Sequence, residues 1–237
     1  RTCMAEKFGV PGYKDYRELL KRDDIEMVYS GTPNWIHAEV AVAALDAGKH
    51  IFSEKPMGMN RREIALMLAA EKRSGKFLQI DFEMRYSVML KRIRDIVDAG
   101  ELGEVKNIHF THNNGGTGFV KRPGDWRIDI AKVGRYFIEE GCHRLDIFRY
   151  WMKEEMTEIE AIPAPELRGP DGWHRAYREP ACTLCFFPGE KLAEPLLRPR
   201  RGDDPRPAVL KRRQDDASLM GSDGSIRADF WDKYIQL

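Results

Sequence analysis

Two groups of side chains in this sequence could act on a proton or a charged oxygen. The first centres on Lys55, which closes the apolar run Ile51-Phe-Ser-Glu-Lys-Pro-Met57. An ammonium fixed there can stabilise negative charge developing on a nearby oxygen. The second is the stretch Glu139-Glu-Gly-Cys-His-Arg-Leu-Asp146. On a helix, Glu139 and His143 stand at i and i+4 and Asp146 three residues on, so the three fall near one face. An imidazole titrates near neutral pH and can take or give a proton, and a carboxylate can orient it. Each group also has an ordinary reading. Lys55 is one of 39 basic residues, and a helix-borne Glu–His pair is common on protein surfaces. Residue type and spacing leave both readings open.

The elements that must carry these residues follow from the pattern around them. Ile25-Glu-Met-Val-Tyr-Ser30 reads as a strand running into the turn Gly31-Thr-Pro-Asn34, and a helical pattern carrying His37 continues through Ala47. Gly48 breaks that helix, and the run from Ile51, bounded by Gly48 and Pro56, reads as a buried strand of a parallel sheet. Strand, helix, strand, helix is a βαβα unit, and Lys55 lies at or just past the carboxyl end of its second strand, where open α/β sheets place ligands. Before this unit, Asp15 caps a short amphipathic helix through Arg22; after it, Asn60 caps a helix to about Ser74, ended by Gly75, and Phe77–Phe82 reads as the last parallel strand. A domain boundary is expected there. Beyond it come a helix from Val88 to about Ala99, a strand from Val105 to His112, a helix from Tyr136 to Trp151, and strand-like runs at Met156–Ile162, Ala181–Phe187 and, around Ser222-Asp-Gly224, Leu219–Phe230.

Thr32-Pro33-Asn34, His37, Ala47-Gly48-Lys49-His50 and Glu54-Lys55-Pro56, taken together, resemble the second half of the nucleotide-binding domain of the Gfo/Idh/MocA oxidoreductases, the glucose-fructose oxidoreductase and inositol dehydrogenase family. The likeness extends through Arg85-Tyr86, a helix, Gly100-x-x-Gly103 and a strand to Glu139-Glu-Gly-Cys-His143-Arg-Leu-Asp146, where the family carries Asp-x-Gly-x-His-x-x-Asp; it covers roughly residues 5 to 190. Position 139 is Glu where the family has Asp. The fold that this resemblance implies is α/β, a partial Rossmann-type parallel-sheet domain over residues 1–82, followed over 83–237 by an α+β domain with an open, mainly antiparallel sheet.

The resemblance also implies a chemistry. His143 would be the general acid/base, Glu139 its orienting carboxylate, and Lys55 the ammonium beside the reacting oxygen. Thr32, Pro33, Asn34, His37, Glu54, Lys55, Pro56, Arg85 and Trp126 would face the cofactor, NAD or NADP. Oxidising a secondary alcohol of a sugar, polyol or related small molecule needs a base for the hydroxyl proton as hydride leaves for the nicotinamide. Lys55 and His143 would then meet in a cleft between the domains. A NAD-assisted glycoside hydrolase of the same family, or a fragment that binds ligand without turnover, are the alternatives. No G-x-G-x-x-G occurs in the chain, which begins Arg1-Thr-Cys and stops at Leu237. The expectation is thus of a chain truncated at both ends, without the first strand and the phosphate-binding turn.

Composition narrows the rest. The 39 basic and 38 acidic residues nearly cancel, which gives no argument for nucleic acid or for an anionic membrane surface. Cys3, Cys142, Cys182 and Cys185 are not clustered as a zinc site would require, so no metal is expected, and their spacing suits a reducing, cytoplasmic compartment. No apolar run approaches the roughly 18 residues of a membrane span. Small-molecule substrates and a homo-oligomer formed through the second-domain sheet complete the expectation. Asn113-Asn-Gly-Gly-Thr-Gly118 reads as a loop, and the segment 192–216, with four prolines and an Arg-rich centre, reads as an irregular linker.

Overall fold

The computed structural model describes residues 2–113, 126–134, 137–163, 180–187, 191–197, 214–229 and 234–236. The chain forms two compact units, Arg1–Asp81 and Phe82–Leu237.

In the first unit, helices α1 (Thr2–Phe8) and α2 (Tyr16–Leu20) lead to strand β1 (Met27–Ser30), and a 3-10 turn (Asn34–Ile36) runs directly into helix α3 (His37–Asp46). Strand β2 (His50–Glu54), helix α4 (Arg61–Ser74) and strand β3 (Leu78–Asp81) follow, and the three strands are parallel in the order β1-β2-β3. The expected βαβα unit is present. The caps are those that the sequence specifies: the Asp15 carboxylate accepts from Arg17 N at 2.9 Å, and Asn60 Oδ1 accepts from Glu63 N at 3.0 Å while the Glu63 carboxylate accepts from Met59 N at 2.8 Å. Gly75 closes α4 at φ 65°, a left-handed conformation that costs a glycine little. Ala38, Ala41, Ala44 and Leu45 of α3 are buried with Ile51, Met67 and Ala70. Their small side chains let α3 lie close to the strands and to α4. Strand β2 alternates, with Ile51 and Ser53 buried and Phe52 only half-buried.

The second unit opens with a 3-10 turn (Glu83–Tyr86) and helix α5 (Val88–Asp98), then strand β4 (Val105–Asn113), a 3-10 turn (Trp126–Ile128), helix α6 (Ile130–Val133), a π-helical turn (Phe137–Gly141) and helix α7 (Cys142–Met152). Strands β5 (Glu158–Pro163), β6 (Pro180–Phe187), β7 (Lys191–Leu197), β8 (Gln214–Gly221), β9 (Ser225–Asp229) and β10 (Tyr234–Gln236) join β4 in a seven-stranded sheet of order β10-β9-β8-β4-β7-β6-β5. Every pairing is antiparallel except β4 with β7. Helices α5 and α7 cover this sheet. Leu90, Ile93 and Ile96 of α5 and Ile147, Phe148 and Trp151 of α7 are buried with Ile108 and Phe110 of β4, Leu219 of β8 and Ile226 of β9. Trp151 is fully enclosed and its indole N–H donates to Leu90 O at 3.2 Å, which satisfies the one polar atom such burial would otherwise cost.

Two expectations need correction. Segment 192–216 is not a continuous linker: Lys191–Leu197 is a strand inside the sheet, between β4 and β6, and β8 begins at Gln214. Pro195 masks β7 in the sequence, because a proline cannot donate to a ladder and marks a run as non-strand. Here the pairing with β6 runs from Cys182↔Leu196 to Phe187↔Lys191 and skips Glu194 and Pro195, which pair in register only with His109 and Phe110 of β4. The helix expected from Tyr136 to Trp151 is also a π turn followed by α7, so the backbone widens just before His143. The loop expected at Asn113–Gly118 lies, after Asn113, outside the described residues, as does 198–213. Among the described residues no helix is long and apolar enough to cross a membrane.

Candidate active site

In the first unit, the sequence-predicted residues gather at the carboxyl edge of the parallel sheet. Thr32, Pro33 and Asn34 follow β1; Lys55 and Pro56 follow β2, joined by a cis peptide bond; Asp81 ends β3. His37, the first residue of α3, is wholly buried between the first two of these loops. Its Nδ1 lies 2.8 Å from Pro56 O and its Nε2 2.7 Å from Thr32 O. Both ring nitrogens are thus engaged by backbone, and His37 acts as a tie between the turn after β1 and the Lys55-Pro56 step. Thr32 Oγ1 in turn lies 3.0 Å from the buried hydroxyl of Ser30. Asn34 is buried in its 3-10 turn.

Carboxylates flank Lys55 in the same edge. Glu54 pairs in register with Asp81 of β3 and accepts a hydrogen bond of 2.9 Å from the Tyr29 hydroxyl. Burial, with the neighbouring Glu54 charge adding to it, pushes the Asp81 carboxyl above its ordinary value. The edge therefore combines one ammonium, two carboxylates, a threonine and an asparagine within three loops, a donor and acceptor set suited to a polar ligand with several hydroxyls.

In the second unit, the 3-10 turn Glu83–Tyr86 is laid against the first turns of α7. The Phe82 ring meets the His143 ring edge-on at 6.3 Å and an interplanar angle of 82°. Glu83 Oε2 lies 3.6 Å from His143 Nδ1. The Met84 sulfur lies 3.9 Å from an Arg144 nitrogen, and Arg85 donates through Nε and Nη2 to the two oxygens of Asp146, each at 2.6 Å. His143, Arg144 and Asp146 are all buried. Arg144 also pairs with Glu140 of the π turn at 3.4 Å, and the Arg85 guanidinium stacks 5.3 Å over Tyr150. The hydrogen bonds to Asp146 hold Arg85 above its already high ordinary value.

Of the residues singled out in this unit, His143 and Asp146 are thus brought together with Arg85, one face of α7 serving all three. Glu139 is half-buried in the π turn, where its carbonyl faces the Cys142 sulfur at 3.4 Å. Trp126 sits in its own 3-10 turn with the Arg127 guanidinium 4.5 Å from its ring. Glu83 was not singled out by the sequence. The available signal was its spacing: it stands two residues before Arg85, so both point toward the same helix once the chain turns after β3.

Comparison with known proteins places these two units. Residues 1–82 match the model of an oxidoreductase family with an NAD-binding Rossmann fold, and residues 90–193 match the Gfo/Idh/MocA C-terminal domain. The chain is 30% identical over 161 residues to inositol 2-dehydrogenase of Salmonella typhimurium, a match spanning 67% of this chain and 45% of that protein. It is 28% identical over 160 residues to levoglucosan dehydrogenase of Pseudarthrobacter phenanthrenivorans, over 67% of this chain and 41% of that one. A solved levoglucosan dehydrogenase in complex with NADH and levoglucosan shares the fold with a TM-score of 0.79 at 23% identity, across 97% of this chain and 61% of that one. The chain thus spans less than half the length of these two sequence relatives. With both of its units matched in order, the chain belongs to the Gfo/Idh/MocA family of oxidoreductases.

Proposed function

We propose that this chain serves nicotinamide-dependent oxidoreduction of a secondary alcohol on a sugar, polyol or related small molecule. The observation that carries the reading is the position of Lys55, immediately past the carboxyl end of β2 and fastened through Pro56 to the buried His37. That edge is where open α/β sheets bind ligands. Thr32, Asn34, Glu54 and Lys55 supply donors and acceptors of the kind that ribose hydroxyls and a carboxamide require, so the residues present fit the nicotinamide and ribose end of a dinucleotide. When bound, the nicotinamide ring exchanges hydride with the substrate carbon. NADH, seen in the solved levoglucosan dehydrogenase, is the form to test before NADPH.

The chain's own residues divide the remaining work. The Lys55 ammonium stabilises charge developing on the reacting oxygen. His143 takes the hydroxyl proton in oxidation and returns it in reduction, with a neighbouring carboxylate fixing its ring. Glu139 is the carboxylate that the family pattern points to for that task. Arg85 and Trp126 are the residues of the second unit that the family pattern also turns toward the cofactor. Self-association through the sheet of the second unit fits Ile159 and Met220, which expose 51% and 48% of their surface on its strands.

Titration of the chain with NADH and NADPH, followed by cofactor fluorescence, and turnover of inositols and anhydrosugars, followed by NADH absorbance, test the proposal. Binding without effect of Lys55→Met or His143→Gln on turnover would remove those residues from the chemistry; each is expected to lower the rate by on the order of a hundredfold or more. Absence of binding to either dinucleotide would overturn the reading for this chain.

A further inference from the structure

We infer that Glu83 is the positioning carboxylate of His143, holding the imidazole with its proton on Nδ1 and presenting Nε2 to the substrate. The inference rests on the reading of His143 as the proton-handling residue and adds a member to its machinery.

The geometry is specific. Glu83 Oε2 stands 3.6 Å from Nδ1 of a side chain that is 5% exposed. At 3.6 Å the pair is an ion-pair approach and not yet a hydrogen bond; contacts among acid–base groups are often long before substrate binds and shorten afterwards. The Phe82 ring packs against the imidazole in a T-shaped contact, with centroids 6.3 Å apart. The 3-10 turn carrying Glu83 cannot slide along α7 without breaking both Arg85–Asp146 hydrogen bonds, which sit three residues further along the helix. The backbone at Glu83 is therefore held in place by contacts of its chain neighbours Phe82 and Arg85.

The charges on the elements around the ring differ in how they are offset. On the π turn, Glu140 is paired with Arg144, and on α7, Asp146 is paired with Arg85. Glu139 precedes the ring on the π turn. From the 3-10 turn comes Glu83, the carboxylate set against Nδ1 itself. A carboxylate at that atom favours Nδ1–H in the neutral ring and favours the imidazolium on protonation.

The test reads the ring directly in the full chain and needs no turnover. Nitrogen and carbon NMR of the imidazoles, with the His143 resonances assigned by their loss in His143→Gln, gives both tautomer and titration midpoint. Glu83→Gln is expected to move the His143 midpoint to lower pH by about one pH unit and to erode the Nδ1–H tautomer. Glu83→Asp, which keeps the charge on a shorter arm, is expected to fall between that variant and the parent, and Glu139→Gln to shift the midpoint less than Glu83→Gln does. The Glu83 side chain is 59% exposed, so these variants should stay folded, and unchanged amide spectra would establish it. A midpoint that follows Glu139 and ignores Glu83, or a parent ring protonated at Nε2, would overturn the inference. Failure of dinucleotide binding would instead overturn the proposed function, and leave this ring measurement standing.

Discussion

Arg85 and Asp146 form a two-pronged ion pair, each carboxylate oxygen accepting one guanidinium hydrogen bond at 2.6 Å, with the Asp146 side chain 5% exposed. The pair fastens the 3-10 turn after β3 to the helix that bears His143. Arg85→Met should leave a buried carboxylate without its partner and destabilise the second unit by about 3 kcal/mol, at the low end for buried pairs because the guanidinium itself is partly exposed. Asp146→Asn added to Arg85→Met should recover part of that loss. Urea unfolding of the two single variants and the double variant measures the coupling; an additive double variant would show that the pair is not an energetic unit.

His37→Phe keeps the ring's bulk and removes both nitrogens. A neutral imidazole carries one N–H, so one of the two carbonyls, Thr32 O at 2.7 Å or Pro56 O at 2.8 Å, would lose its donor. A loss of about 1–3 kcal/mol follows from that carbonyl. Thermal unfolding should show it, and amide hydrogen exchange should quicken around residues 31–34 and 55–57 more than in α4. His37→Gln, which retains amide donors, should lose less.

Asp81 offers a pH test. Its folded-state carboxyl titrates above the ordinary value of 3.8, raised by burial and then by Glu54. Between the unfolded and folded values the native chain binds more protons, so this group subtracts stability as pH rises from about 3.8 through the higher folded value. Asp81→Asn removes that subtraction. The variant's gain in urea midpoint over the parent should be greatest near neutrality and shrink toward pH 4. A gain that grows on acidification would contradict the sign.

Gly221, the last residue of β8, lies against the turn before β4. A Cβ there would run into Leu102 O, in a clasp where Asp223 N donates to the same carbonyl at 3.1 Å and Ser222 N to Glu104 O at 3.1 Å. The clash is with backbone, which cannot rotate aside. Gly221→Ala should therefore cost about 2 kcal/mol and be read as a lower melting temperature, whereas Gly48→Ala, with open space around its Cβ, would lose only through its φ of 72°.

The parallel sheet could be read from local chemistry. Asp15, Asn60 and Gly75 mark helix ends by mechanisms that need no tertiary partner, and the turns before Asn34 and after Lys55 follow from Pro33 and Pro56. What escaped the reading depends on distant chain. Strand β7 contains Pro195 and is specified by the two neighbours it lies between, not by its own seven residues. Glu83 lies two positions past a strand and gains its role only because Arg85 finds Asp146 sixty-one residues later. The π turn at Phe137–Gly141 adds width without any composition that marks it.

The order of strands in the second unit bears on how the chain matures during synthesis. Strand β4, complete by Asn113, waits for β7 and β8 on its two edges, and the outermost register joins Val105 to Gly221. The ribosome must therefore deliver more than a hundred further residues before that central strand is flanked. The three-stranded unit ahead of it pairs only through segments that emerge within some fifty residues of one another. A nascent chain would accordingly carry bare strand edges in its second half for most of its elongation.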